Sequence, residues 1–193
     1  MVQATLRTEM SEAEYLAFER ASLEKHEYVD GEVFAMSGGT GEHAAIAANL
    51  IRELGNAVFG RGCRVHTSDM RIKIPETPSY VYPDASVVCT RPEYPDDTRD
   101  TLTNPQLVVE VLSDSTEAYD RGEKFASYQK IASLSCYVLA SQTKARLEVF
   151  TRQDDGGWLL RAYGRGEHAR LAPLDCSIDV DRVYTDVLPT VSG

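Results

Sequence analysis

The sequence predicts an α/β (α+β mixed sheet) fold, a mixed sheet with helices packed on it, and three observations carry that prediction. Apolar residues switch between helical and strand periods along the chain, in the order helix, hairpin, helix, several strands, helix, strands. The 193 residues contain no repeat, low-complexity tract or evident linker, so a single domain over 1–193 is expected. A hydrophobic content of 42% is enough for one sizeable core.

Each element has a local reason. Ser11 followed by Glu14 is a capping-box signature that opens a short helix, SEAEYLAFERA. KHEYVDGEVFAM is a hairpin, because Asp30-Gly31 is a favoured two-residue turn between strand-like arms. In GEHAAIAANLIRELGNAVFG, Ile46, Leu50, Leu54 and Val58 recur every four residues, giving a longer helix with Gly60 as a C-cap. CRVHTS, MRIKI, YVYPDASVVCT and PQLVVEVLS are four strand candidates. STEAYDRGEKFASYQKIAS follows as a helix with a local weakness at Gly122, then SCYVLAS, RLEVFTR and WLLRAYG as further strands. The single Trp158 follows a DDGG turn and suits packing. From about Thr151 onward the pattern says little beyond a segment that completes the sheet or an interface.

Composition excludes some functions. Lys and Arg number 20 against 30 Asp and Glu, a net charge of −10, which is the wrong sign for gripping nucleic acid by bulk charge. The most basic stretch, RGCRVHTSDMRIK, carries Arg61, Arg64, Arg71 and Lys73; it is either a solvated strand face or a local phosphate-contact surface. There is no apolar run long enough to span a membrane, and MVQATLRTEMSEAEY lacks a signal-peptide core, so a cytoplasmic protein is expected. The cysteines Cys63, Cys89, Cys136 and Cys176 are widely spaced without a C-x-x-C pair, and free buried thiols are expected rather than disulfides or a zinc site.

The chemistry sits where charges interrupt apolar strands. YVYPDASVV places Pro83 and Asp84 inside a strand-like run, although proline cannot donate to a ladder and a buried carboxylate needs a partner. Glu110 interrupts LVVEVLS in the same way, on the strand face shared by Val108 and Leu112. The two acids lie 26 residues apart, so neighbouring strands can bring them together, and the repulsion between them calls for a cation such as Mg²⁺ or Mn²⁺. Asp120, Lys124 and Tyr128 recur every four residues on the next helix. If that face looks back at the acids, Lys124 can orient a water or stabilise charge on a phosphate; otherwise it is a surface ion pair with Asp120. Glu27, on the hairpin, is a further candidate ligand or else a solvent-facing residue beside Lys25. His43, in the first turn of the longer helix, can contact a phosphate or simply be exposed. Ser113 and Ser115 suit helix capping better than nucleophilic catalysis.

Together these segments resemble the Uma-two family of endonucleases, a branch of the PD-(D/E)XK restriction-endonuclease-like superfamily. The resemblance runs over about 12–151 and rests on HEYVDGEVFAMSG, GEHAAIAANLIREL, YPDASVV, LVVEVLSDST, and DRGEKFASYQK followed by SCYVLAS. It implies a central mixed sheet flanked by helices, a divalent metal (Mg²⁺ or Mn²⁺), and hydrolysis of DNA phosphodiester bonds by activated water. Asp84 matches the first acid of the motif, Glu110 the second, and Glu27 the acid of the hairpin. The Val111 carbonyl is a further metal ligand on that resemblance, and Asp120 supports the lysine. One position departs from the pattern. The lysine two residues after the second acid is replaced by Leu112, and Lys124 on the following helix is the matching position, within reach of the same point because its side chain is long. By analogy the protein is a homodimer, with target choice in loops such as RPEYPDDTRD. Two other readings stand beside this one: a catalytically silent module on the nuclease fold, and a metal-dependent hydrolase of another phosphate-containing substrate.

Overall fold

A computed structural model describes residues 5–7, 9–36, 38–75 and 78–188 of the chain. The first four residues, part of the stretch considered above as a leader, lie outside the described residues, as does Ser37 of the HEYVDGEVFAMSG segment. The chain opens with β1 (Thr5–Arg7) and α1 (Glu12–Ala21), whose Ser11 and Glu14 form the expected capping box. The hairpin follows as β2 (His26–Val29) and β3 (Glu32–Ala35), with both Asp30 (φ 55°) and Gly31 (φ 92°) in the left-handed region that its tight turn requires. Next is α2 (Gly41–Ala57), N-capped by Thr40; it ends at Val58 rather than at Gly60, which adopts φ 74° two residues later.

The strands that follow do not form one sheet. After β4 (Arg64–Thr67) and β5 (Arg71–Ile74), the run expected as a single strand divides into β6 (Ser79–Val81) and β7 (Ala85–Val88). Tyr82, Pro83 and Asp84 carry the chain from one sheet into the other. A short β8 (Thr101–Leu102), unforeseen within the polar loop, precedes β9 (Leu107–Leu112). The expected helix is broken at Gly122 into α3 (Glu117–Arg121) and α4 (Glu123–Tyr128), because Gly122 leaves helical geometry at φ −108°, ψ −99°. Then come β10 (Cys136–Ser141), β11 (Arg146–Arg152), β12 (Trp158–Gly164), β13 (His168–Leu171), β14 (Cys176–Asp179) and α5 (Val180–Val183).

One sheet has the order β1-β3-β2-β6-β5-β8, the other β12-β11-β10-β9-β7-β4, and β13 pairs with β14 alone. Pairing is antiparallel except for β5 with β8 and β9 with β10. Alternation along β9 divides the core between two faces. Leu107, Val109 and Val111 face the cluster built on Ile46, Leu50 and Leu54 of α2, whereas Val108 and Leu112 face Ile72, Ile74, Phe125 and Tyr128. A third cluster packs Tyr15 of α1 on Tyr28 and Tyr80. The weakly patterned C-terminal part completes the α2 side of the core through Ala169, Leu171, Val180 and Val183, and the Tyr184 hydroxyl donates to the Ser141 and Arg146 carbonyls.

The cysteines correct the sequence reading. The β4–β7 register pairs Arg64 with Val88, and continued by one residue it sets Cys63 beside Cys89, which form a disulfide. Cys136 and Cys176 remain free thiols. Spacing alone could not show this, because the pairing depends on strand register. Trp158 packs as expected, edge-on to Phe125 with the Arg152 guanidinium over its ring.

Candidate active site

The β7–β9 register that pairs Ala85 with Val109, carried one residue further, sets Asp84 opposite Glu110. Directly opposed residues across a ladder have Cβ atoms about 5 Å apart, near enough for two carboxylates to act on one ligand. Asp84 is the last residue of the crossing segment, and its Oδ2 accepts the Val111 N–H at 2.7 Å, capping the end of the ladder. His43 Nε2 lies 3.5 Å from the same oxygen. Its ring packs over Gly39, where a Cβ would come within 2.8 Å of His43 Nδ1, so glycine makes room for the approach.

Glu110 lies on the face of β9 that alternation assigns to it, turned toward α4, where the Tyr128 hydroxyl donates to its Oε1 at 2.8 Å. Lys124 Nζ stands 3.0 Å from that oxygen, 3.0 Å from Glu27 Oε1 and 3.9 Å from Asp120 Oδ1. With 7% of its side chain exposed, Lys124 is not part of a surface ion pair. Glu27 is also buried rather than facing solvent, and it accepts the Tyr82 N–H at 3.1 Å. These groups border a cavity of about 960 Å³ that runs past His43 and Thr40 to the loop of Ser113 and Ser115. Ser113 Oγ accepts the Thr116 N–H and bonds to the Thr116 hydroxyl, ordering the turn before α3, but the N-cap of that helix is Thr116, with no side-chain cap bond, rather than Ser113 or Ser115 as expected.

The electrostatics are those of an acid cluster short of positive charge. Glu110, Glu27 and Asp120 surround one lysine, and Asp84 stands across the ladder beside His43. Burial pushes Glu110 well up from the ordinary carboxylate range, with Asp120, Asp84 and Glu27 adding repulsion against the pull of Lys124. Burial also raises Asp84 and Asp120, although His43 and Lys124 respectively pull the other way. Burial works to lower Lys124, but the Glu110 and Glu27 carboxylates outweigh it and keep the ammonium charged.

Among the described residues no group of three or more His, Cys, Asp and Glu side chains has metal-holding geometry. The donor chemistry still fits a hard divalent cation. Two opposed carboxylates supply oxygen ligands, and Mg²⁺ commonly binds through one or two carboxylates while keeping several waters. Glu27 Oε1 meets Lys124 and the Tyr82 N–H, as Glu110 Oε1 meets Lys124 and the Tyr128 hydroxyl, so Glu27 anchors the lysine and stays a candidate ligand on the same footing.

The basic stretch does not assemble one surface. Arg61 donates to the Leu174 and Asp175 carbonyls, Arg71 is buried against Asp100, and Lys73 pairs with Glu12 at 2.7 Å, while Arg64 is exposed on β4. Sequence reasoning missed Glu19 and Tyr82, which lie behind Glu27. The available signal was an acid, Glu19, four residues after Tyr15 on the buried face of α1.

Two mixed sheets flanked by helices place the chain in the restriction-endonuclease-like class, and the two opposed strand acids and the helix-borne lysine lie together at one cavity of that fold. The chain belongs to the Uma2 (Uma-two) family, described as "Putative restriction endonuclease", whose profile matches residues 12–181 and so extends past 151 into the C-terminal segment. It is 41% identical over 177 residues to slr1290, an uncharacterized protein of Synechocystis sp., covering 91% of each chain. A second Synechocystis sp. protein, sll1609, also uncharacterized, is 36% identical over 171 residues, covering 89% of this chain and 96% of the other. The fold is shared with an Anabaena variabilis crystal structure of "a putative nuclease belonging to DUF820", at a TM-score of 0.75 and 15% identity, covering 93% of this chain and 99% of that one. No helix among the described residues is long and apolar enough to cross a membrane.

Proposed function

We propose that the protein is a metal-dependent DNA endonuclease that hydrolyses phosphodiester bonds with an activated water. The observation that carries this reading is the convergence of Lys124 on Glu110, which stands opposite Asp84 across the β7–β9 ladder, at the wall of one cavity. Asp84 and Glu110, with the Val111 carbonyl, are the groups that would hold Mg²⁺ or Mn²⁺. A bound ion of this kind polarises the phosphate and lowers the pKa of a nearby water. Lys124 would orient the water and offset charge developing on the phosphate. Glu27 would keep Lys124 aimed, and Asp120 would add to the field that keeps it protonated. His43 stands beside Asp84 at the start of α2, where a phosphate oxygen can be met by an imidazole N–H and by main-chain amides. The form proposed to act is a homodimer.

One observation favours the second reading, a catalytically silent nuclease-fold module. Arg61, Arg71 and Lys73 are engaged within the fold, which leaves little local basic surface to offset the net charge of −10. Plasmid and oligonucleotide DNA incubated with the purified protein separate the two, with Mg²⁺, Mn²⁺ or chelator and with Asp84→Ala and Lys124→Ala alongside. Metal-dependent cleavage lost in both variants supports the nuclease; cleavage that survives both comes from a contaminant and removes the assignment.

A further inference from the structure

The first sheet stops short of where its register would carry it. The pairing of Tyr28 with Tyr80 and Val29 with Ser79 would, continued, set His26 opposite Tyr82. Side chains take those main-chain groups instead. The His26 N–H donates to Glu19 Oε1 at 3.1 Å, the His26 carbonyl accepts the Tyr15 hydroxyl at 2.7 Å, and the Tyr82 N–H donates to Glu27 Oε1 at 3.1 Å. Glu19 also accepts the Tyr82 hydroxyl at 2.8 Å on Oε1, and its Oε2 faces His26 Nδ1 at 2.9 Å.

Glu19, His26, Glu27 and Tyr82 therefore close a ring in which one link is covalent and the rest are hydrogen bonds. The ring is buried, with Glu19 at 7%, His26 at 4% and Tyr82 at 7% exposure. A buried carboxylate in a place where two strands could simply have continued their ladder is a costly choice for stability alone. Its bonds stand where the ladder between His26 and Tyr82 would have continued. The chain can then turn at Pro83, which has no N–H to lose, and deliver Asp84 to the second sheet. Glu27, one residue after His26, is fixed by the same ring under Lys124.

We propose that Glu19 is a positioning residue for the site: from α1 it sets where Glu27 and Asp84 stand relative to Glu110 and Lys124, without touching the reacting groups. The inference rests on the nuclease reading. Its test compares Glu19→Ala, Glu19→Gln, Tyr82→Phe and the Glu19→Ala/Tyr82→Phe double variant by cleavage kinetics, by thermal unfolding, and by the rise in Tm that Mn²⁺ produces. Glu19→Ala should lower kcat about 100-fold, the order expected for a misplacement of about 1 Å, with KM little changed and a smaller Mn²⁺-induced rise in Tm. Glu19→Gln, which keeps an acceptor for Tyr82 and His26, should restore most of the rate. The double variant should be no slower than Glu19→Ala, because both substitutions break one ring. If Glu19→Ala fails to fold, Tyr82→Phe, which removes a single hydroxyl, carries the comparison and should lower kcat without a matching loss of stability. A folded Glu19→Ala with wild-type kcat, or a Glu19→Gln as slow as Glu19→Ala, overturns the positioning role and leaves the nuclease standing. A wild-type protein with no metal-dependent cleavage overturns both.

Discussion

At Lys124 Nζ, two carboxylate oxygens lie 3.0 Å away in a place almost without solvent. Lys124→Met keeps the length of the side chain and removes the charge, leaving Glu27, Glu110 and Asp120 buried without their cation. Breaking a buried pair from one side costs about 3–5 kcal/mol, so chemical denaturation should show a loss of that order. A loss under about 1 kcal/mol would mean that the carboxylates find protons or water instead. Lys124→Arg is not a conservative repair, since a planar guanidinium cannot occupy the point held by a compact ammonium between two acids. The site was readable at this scale wherever a charge interrupted an apolar pattern, as at Asp84 and Glu110. Glu27 was reached through the family resemblance and not through any sign of burial. Glu19 was not reached, since its spacing from Tyr15 gives a shared helix face but an acid in a hairpin arm or a helix looks the same in sequence whether it is buried or solvated.

Between elements, Asp100 joins three parts of the chain: Arg20 at the end of α1, Arg71 on β5, and the loop leading to β8. Burial works to raise its carboxyl, but hydrogen bonds from Arg20 and the charge of Arg71 outweigh it and hold Asp100 well below the usual range. A group depressed in the folded state contributes stability above its unfolded pKa of about 3.9 and loses it as pH falls through the folded value. Thermal unfolding should therefore show Asp100→Asn less stable than wild type at neutral pH, with the difference shrinking below about pH 4. A difference that does not change with pH would assign the role to packing. Most elements were readable from period and punctuation: the capping box of Ser11 and Glu14, the Asp30-Gly31 turn, and the four-residue repeat of α2. YVYPDASVV was not, because β6 and β7 are both buried and an apolar run interrupted only at Pro83 and Asp84 does not say that its two halves belong to different sheets. Pro83, the residue that cannot donate to a ladder, marks the crossing. The Cys63–Cys89 bridge escaped for a related reason, as it follows from register and not from spacing.

Over the whole molecule, the excess of acid that excluded bulk-charge recognition of DNA is concentrated again inside the cavity, where four carboxylates meet one lysine. That imbalance is the physical case for a divalent ion, because burial, with repulsion from the neighbouring acids added to it, pushes Glu110 and Asp84 upward, and a cation there favours their charged forms. The two sheets, α2 and the C-terminal segment hold the opposed acids in place before any ligand arrives. Calorimetric titration of the folded protein with Mn²⁺ decides this, using wild type, Asp84→Ala and, as a control outside the cavity, Glu32→Gln, at neutral pH. Wild type and Glu32→Gln should both show saturable Mn²⁺ binding, lost in Asp84→Ala with the fold retained. Equal binding in wild type and Asp84→Ala would contradict it.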